Sequence, residues 1–201
     1  MVLQDVKTVV SLMMKRPITE DIALQIGEMD DFKNLEIVGG EWVGLETQEE
    51  AMTGEKDGRI EGLLIIWIGG YVLQNQLGYV YPGDTDFVLD GTPGDIRLKR
   101  QPDVSFVAGE RAKSTSGYYY LSPDLAVEIV SPSQFRPEML AKVSEYLRYG
   151  SKQVWLVFPE QKQIEVHYPD RAPDIYNSGD TIPGGDLLPD FELDVTKVFE
   201  V

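Results

Sequence analysis

Cysteine is absent from all 201 residues, and histidine occurs once, as His167. The first absence removes disulfides, thiolate metal sites and a cysteine nucleophile. It fits a reducing compartment, and a cytoplasmic protein is the expectation. With one imidazole, neither a histidine-rich metal centre nor an HExxH zinc site can be built. Any metal must sit on oxygen ligands, which favours Mg2+, Mn2+ or Ca2+. Long hydrophobic runs are missing too. The longest, Leu63 to Leu73, contains Gly69 and Gly70 and is too short for the ~18 residues of a membrane span. The N-terminus carries Asp5 and lacks the basic segment of a secretory signal. No membrane partner is expected.

Positive charge is scarce. Lys and Arg total 18 against 34 Asp and Glu, a formal net charge of −16. That sum argues against a nucleic-acid partner, because polyanions attract basic surfaces. Its distribution softens the argument. Residues 97–152 hold nine basic residues (Arg97, Lys99, Arg100, Arg111, Lys113, Arg136, Lys142, Arg148 and Lys152) and six acids. That stretch is +3 and the remainder −19. Contact with DNA would be local, weak at long range and sensitive to salt.

What is present is enough for a core, at 42% hydrophobic residues. The length suits one domain over 1–201, with 1–30 as an N-terminal helical extension. Val6, Val9, Val10 and Met13 have helical spacing, which predicts a helix over 3–14 ending near Pro17. Gly39-Gly40 between Leu35–Val38 and Glu41–Leu45 predicts a hairpin. Residues 47–58 read as a loop, and 59–77 as a mostly buried helix with Trp67 in the core. Short strands follow at Gly78–Tyr81, Thr85–Leu89, Asp95–Lys99, Pro102–Val107 and Asp124–Val130, with 112–120 as a mobile surface loop. Tyr118–Tyr120 in that loop suit either base stacking or packing. Pro137 opens a helix whose apolar face is Met139, Leu140, Val143, Tyr146 and Leu147. Strands Gln153–Phe158 and Gln163–Tyr168 form a hairpin, with His167 on an edge and Trp155 in the core. The tail 169–193 is rich in Pro, Gly and Asp, and Asp194 caps a last helix, Val195–Phe199. The class is α/β or α+β with a mixed sheet and additional β-hairpins.

Two acids stand where acids are unusual. Alternation puts Asp103 on the face opposite Val104 and Phe106, and Glu128 opposite Leu125, Val127 and Ile129. Each alone fits a strand-end residue in a surface salt bridge. Side by side they make a carboxylate pair able to hold a hard divalent ion, which lowers the pKa of bound water and stabilises phosphoryl charge. Lys142, on the following helix, is either solvated or aimed at the same point. Glu61, near the start of the apolar helix, reads first as a dipole-favoured first-turn acid.

Asp103 and Glu128 followed by the Lys142 helix resemble the PD-(D/E)xK nuclease fold. The chain is more specifically similar to the Uma2-like (DUF820) restriction endonuclease family. Over about residues 30–200, the ordered segments NLEIVGGEWV, DGRIEGLL, GYVYPGDTDFVL, RQPDVSFVAGER, LSPDLAVEIVSPS, AKVSEYLRYGSKQVWLVFPEQKQIEVHY and LLPDFELDVTKVF carry the resemblance. It implies a restriction-endonuclease-like mixed sheet flanked by helices. It also implies a Mg2+- or Mn2+-dependent endonuclease acting on DNA, commonly as a homodimer. Asp103 and Glu128 match the motif acids and become the implied metal ligands. The motif lysine position holds Val130, and in this branch the lysine stands on the next helix, as Lys142 does here. A histidine common in the branch is replaced by Asp57. A further acid completes many such sites, and either Glu61 or Asp84 fits. The other reading is a non-catalytic binding or regulatory module that keeps the nuclease fold.

Overall fold

A computed structural model describes residues 11–29, 32, 35–44, 55–112, 117–132 and 134–200. The helix expected over 3–14 lies mostly outside these; of its described residues, 11–14, the first three are helical and Met14 is in a turn. The packing divides the chain into two compact units. The first takes its described residues from Met1–Met52, Asp84–Gln101 and Thr115–Leu121. The second takes them from Thr53–Gly83, Pro102–Ser114 and Ser122–Val201.

In the first unit, Gly39 and Gly40 adopt φ of 61° and 77°. Those are the paired positive values that a two-residue type I′ turn requires. They join strands β1 (Glu36–Val38) and β2 (Glu41–Val43) as expected. Strands β4 (Phe87–Thr92) and β5 (Asp95–Arg100) complete a sheet of order β2-β1-β5-β4. Helix α1 (Glu20–Gly27) is capped by Thr19, whose hydroxyl accepts from the Ile22 amide. Ile18, Ala23, Ile37, Val88 and Ile96 pack with Tyr118 in its core. The surface loop expected around Tyr118–Tyr120 is therefore a packed segment. The Tyr118 amide donates to Glu20, and Tyr119 bridges to Phe87.

The second unit is built on a sheet of order β10-β9-β8-β7-β6-β3. Its strands are β3 (Gly78–Pro82), β6 (Val104–Ala108), β7 (Leu125–Ile129), β8 (Gln153–Phe158), β9 (Gln163–His167) and β10 (Asp174–Asn177). The tail rich in Pro, Gly and Asp supplies β10 and a small hairpin, β11 (Thr181–Pro183) with β12 (Glu192–Asp194). Because β10 pairs beyond β9, His167 lies on an interior strand, not an edge. Strands β7 and β8 are parallel, joined through helix α3 (Arg136–Arg148).

Helix α2 (Glu55–Gln74) starts four residues earlier than expected, within the segment read as loop. Its buried residues Ile60, Leu64, Ile68 and Val72 recur every fourth position and pack on one sheet face, against Val104, Phe106, Leu125, Val127, Trp155 and Val166. Ile65 and Tyr71 pack partly against the same core, and the face beyond them is outside. Trp67, expected in the core, is 40% exposed and stacked under Lys197. The final helix α4 (Val195–Val198) is capped as expected, with Asp194 accepting from the Thr196 amide. Asp194→Ala removes that acceptor and is expected to cost about 1 kcal/mol in a urea titration. No helix among the described residues is long and apolar enough to cross a membrane.

Candidate functional site

Alternation sorts each strand of the six-stranded sheet into two faces. One face is the apolar core under α2. The other carries Ser105, Ala126, Glu128, Leu156, Glu165 and His167, as the registers of β6 to β9 require. Helix α3 covers this second face with Met139, Val143 and Tyr146. Leu140, expected with them, is 37% exposed at the margin of that stripe.

Glu128 sits near the C-terminal end of β7 and is only 4% exposed. A carboxylate buried in a central strand is costly unless its charge and lone pairs are engaged. Here both oxygens are engaged. Oε1 accepts from the Tyr146 hydroxyl at 2.8 Å, and Oε2 from Lys142 Nζ at 3.2 Å. Lys142 and Tyr146 are spaced i, i+4, so one turn of α3 presents both to the same carboxylate. Lys142 does point at Glu128, as one of its two sequence readings had it. Tyr146 was legible only as an apolar position, although the i+4 spacing from Lys142 carries its second role.

Asp103 precedes β6 and is not part of it. Pro102 offers no amide to a ladder, and the strand begins at Val104. The register that pairs Val104 with Val127 would continue as Asp103 opposite Glu128. Asp103 uses its side chain there, with Oδ2 accepting from the Ile129 amide at 2.5 Å. Its carboxyl is densely enclosed, although the residue keeps some exposed surface. Burial pushes its pKa from 3.8 up to about 7, and the Glu128 charge adds to the rise. The Ile129 amide and Lys142 pull the other way, while Glu61 pushes it up. Ser105, two residues on along the same face, buries a hydroxyl with no hydrogen-bond partner among the described residues.

Glu61 stands in the second turn of α2, so the first-turn reading does not hold. Its Oε1 accepts from the Gly83 amide at 3.2 Å. Gly83 is pressed against Asp103: a Cβ added there would meet the Asp103 backbone and Glu61 Oε1 at 3.4 Å. Glu61 is thus the earlier acid brought toward Asp103. Asp84 is exposed in the turn after β3 and belongs to the first unit. Asp57 lies in the first turn of α2 among its acidic residues. Val130 follows β7 and donates its amide to the Val157 carbonyl.

The donor set suits a hard cation, since it offers carboxylate oxygens and no sulfur. Among the described residues no group of three or more His, Cys, Asp and Glu is arranged to hold a metal.

Comparison with known proteins agrees with this architecture. The sequence model of the Uma2 family, described as "Putative restriction endonuclease", matches residues 32–196. A solved structure titled as a putative nuclease belonging to DUF820, from Anabaena variabilis ATCC 29413, is 20% identical. The similarity covers 91% of this chain and 98% of that chain, with a TM-score of 0.73. No curated protein matches the sequence. At that identity the structural likeness shows the fold, a mixed α+β arrangement of sheets flanked by helices.

Proposed function

We propose, from the premise that the chain belongs to the Uma2 family, that it is a divalent-metal-dependent endonuclease hydrolysing DNA phosphodiester bonds. The observation that supports this most is the convergence of two acids and a lysine on one sheet face. Asp103 is enclosed beside Glu128, and Lys142 lies 3.2 Å from Glu128. In this reading Asp103 and Glu128 hold Mg2+ or Mn2+. A bound ion of that kind supplies a nucleophilic water at neutral pH and Lewis-acid polarisation of a phosphoryl oxygen. The chain's own residues do the positioning. Tyr146 fixes the Glu128 rotamer through its hydroxyl, and Lys142 brings positive charge to the place where phosphate charge develops. Glu61, tethered by the Gly83 amide, is the candidate third acid.

A second reading is a non-catalytic module that keeps the fold. Two observations favour it: Val130 occupies the motif lysine position, and Glu128 is already engaged by Lys142 and Tyr146. Calorimetry with MnCl2 at millimolar concentrations separates the two. The nuclease reading expects a binding heat that Asp103→Ala removes. A flat titration of the wild-type protein would favour the non-catalytic module and defeat the first reading.

A further inference from the structure

Three polar residues beside the carboxylate site have no part in the mechanism above. On β9, Glu165 and His167 are only 3% and 8% exposed. Glu165 faces the same side of the sheet as Glu128, since Leu156 of β8 pairs with each of them. A carboxylate buried mid-sheet is costly unless something compensates it. Glu165 accepts from Arg136 Nη2 at 2.8 and 3.0 Å and from His167 Nε2 at 3.1 Å. Burial lowers the pKa of His167, which keeps the ring neutral with one proton to donate. Arg136 also lies over the Phe158 ring, 5.6 Å from its centroid.

Arg136 itself opens α3 with 55% of its side chain exposed. At that exposure an ion pair contributes little to stability. The arrangement does something else well. Two buried groups and an aromatic ring fix the orientation of a guanidinium that faces water. Glu165 engages Nη2, and the planar fork presents further N–H donors on its other edges.

We propose that Arg136 is a phosphate anchor, donating to a backbone phosphate that flanks the scissile one, with Glu165 and His167 as positioning residues behind it. This rests on the nuclease reading. Spacing agrees with it. Arg136 and Lys142 stand six residues apart on α3, about 9 Å of helical rise. Glu128 and Glu165 stand two strands apart, about 10 Å. Successive phosphates of one DNA strand differ by ~3.4 Å in axial rise and stand farther apart than that along the winding backbone, so a separation of this size matches a phosphate one or two nucleotides from the scissile one. Recognition by fixed donors also suits a chain whose net charge of −16 repels DNA at long range.

The test uses a fluorescein-labelled DNA duplex and the full chain carrying Asp103→Asn, so that the probe is not consumed. Anisotropy titrations with Mn2+ are run over a series of KCl concentrations. Adding Arg136→Gln is expected to weaken binding about tenfold and to make the slope of log K against log[KCl] shallower by about 0.9. Lys197→Gln, on the cation stacked over Trp67, is expected to leave the slope unchanged. In the chain with Asp103 intact, Glu165→Gln should raise KM severalfold without lowering kcat. A purely structural Glu165 would lower the unfolding temperature and leave KM alone. If Arg136→Gln fails to fold, Arg136→Lys keeps the charge and loses the fork, and KM should still rise severalfold. Unchanged slope and KM in variants that bind and cut DNA would overturn the anchor and leave the nuclease reading standing. A wild-type chain that neither binds nor cuts the duplex would overturn both.

Discussion

Asp103→Asn is expected to abolish Mn2+-dependent nicking of supercoiled plasmid while making the metal-free protein more stable above pH 7. On the proposed nuclease reading Asp103 is one of two charged ligands, and losing it forfeits several kcal/mol of transition-state charge stabilisation by the ion, which corresponds to roughly 10²–10³-fold or more in rate. The gain in stability follows from the cost of Asp103 in the metal-free fold. Its folded pKa is raised from 3.8 to about 7 by burial and by Glu128. Below about pH 4 the carboxyl is protonated in both states and contributes no difference. Between there and about 7 the unfolded chain gives up the proton while the folded one keeps it, so stability falls as pH rises. Above about 7 the penalty is complete, on the order of 4 kcal/mol at most for that gap in pKa. Asparagine keeps an acceptor for the Ile129 amide and carries no charge. Urea titrations in EDTA at pH 4 and pH 8.5 check the sign. The two proteins should coincide at the lower pH and separate at the higher one in favour of the variant. A variant less stable than wild type at pH 8.5 would show that Asp103 is ionised at no cost in the fold, and the enclosed carboxylate pair would lose its physical basis.

Much of the architecture was legible because it is written locally. The Gly39-Gly40 turn, the Asp194 cap and the stripe of Met139, Val143 and Tyr146 each declare themselves within a few residues. Glu128 was legible as an acid out of place in an apolar strand, Asp103 as an acid at the head of one, and Lys142 as a cation on the next helix. What escaped depends on partners distant in sequence. His167 looked like an edge residue because β10 is four residues long and lies among Pro, Asp and Asn. Trp67 looked like core because residues 62–73 carry no charge on any side, and nothing local says which face is covered. Glu61 and Asp84 could not be separated by spacing. In the fold the Gly83 amide, pressed against Asp103, donates to Glu61. Arg136 and Glu165 are 29 residues apart and meet only because α3 crosses from β7 to β8 and the chain returns along β9.

Lys142→Met is the second large effect expected, and it divides stability from catalysis. The Lys142 side chain is 18% exposed and that of Glu128 5%, so the pair is nearly but not fully out of water. Removing one member of a fully buried pair typically costs about 3–5 kcal/mol, because the remaining charge stays buried. With some water reaching Lys142, and with the Tyr146 hydroxyl still donating to Glu128, about 2–3 kcal/mol is expected at pH 8. Glu128→Gln made in the same chain should restore most of it, because the neutral amide no longer needs the ammonium. Activity should not follow. Both the single and the double variant are expected to cleave at least about 10²-fold more slowly: the lysine charge is missing where the phosphate gains negative charge, and the double variant also lacks the Glu128 carboxylate. The double-mutant cycle therefore has a distinctive outcome: stability recovers and cleavage does not. If Glu128→Gln restored nicking along with stability, neither the Lys142 charge nor the Glu128 carboxylate would act in cleavage, and the pair would be a structural one alone.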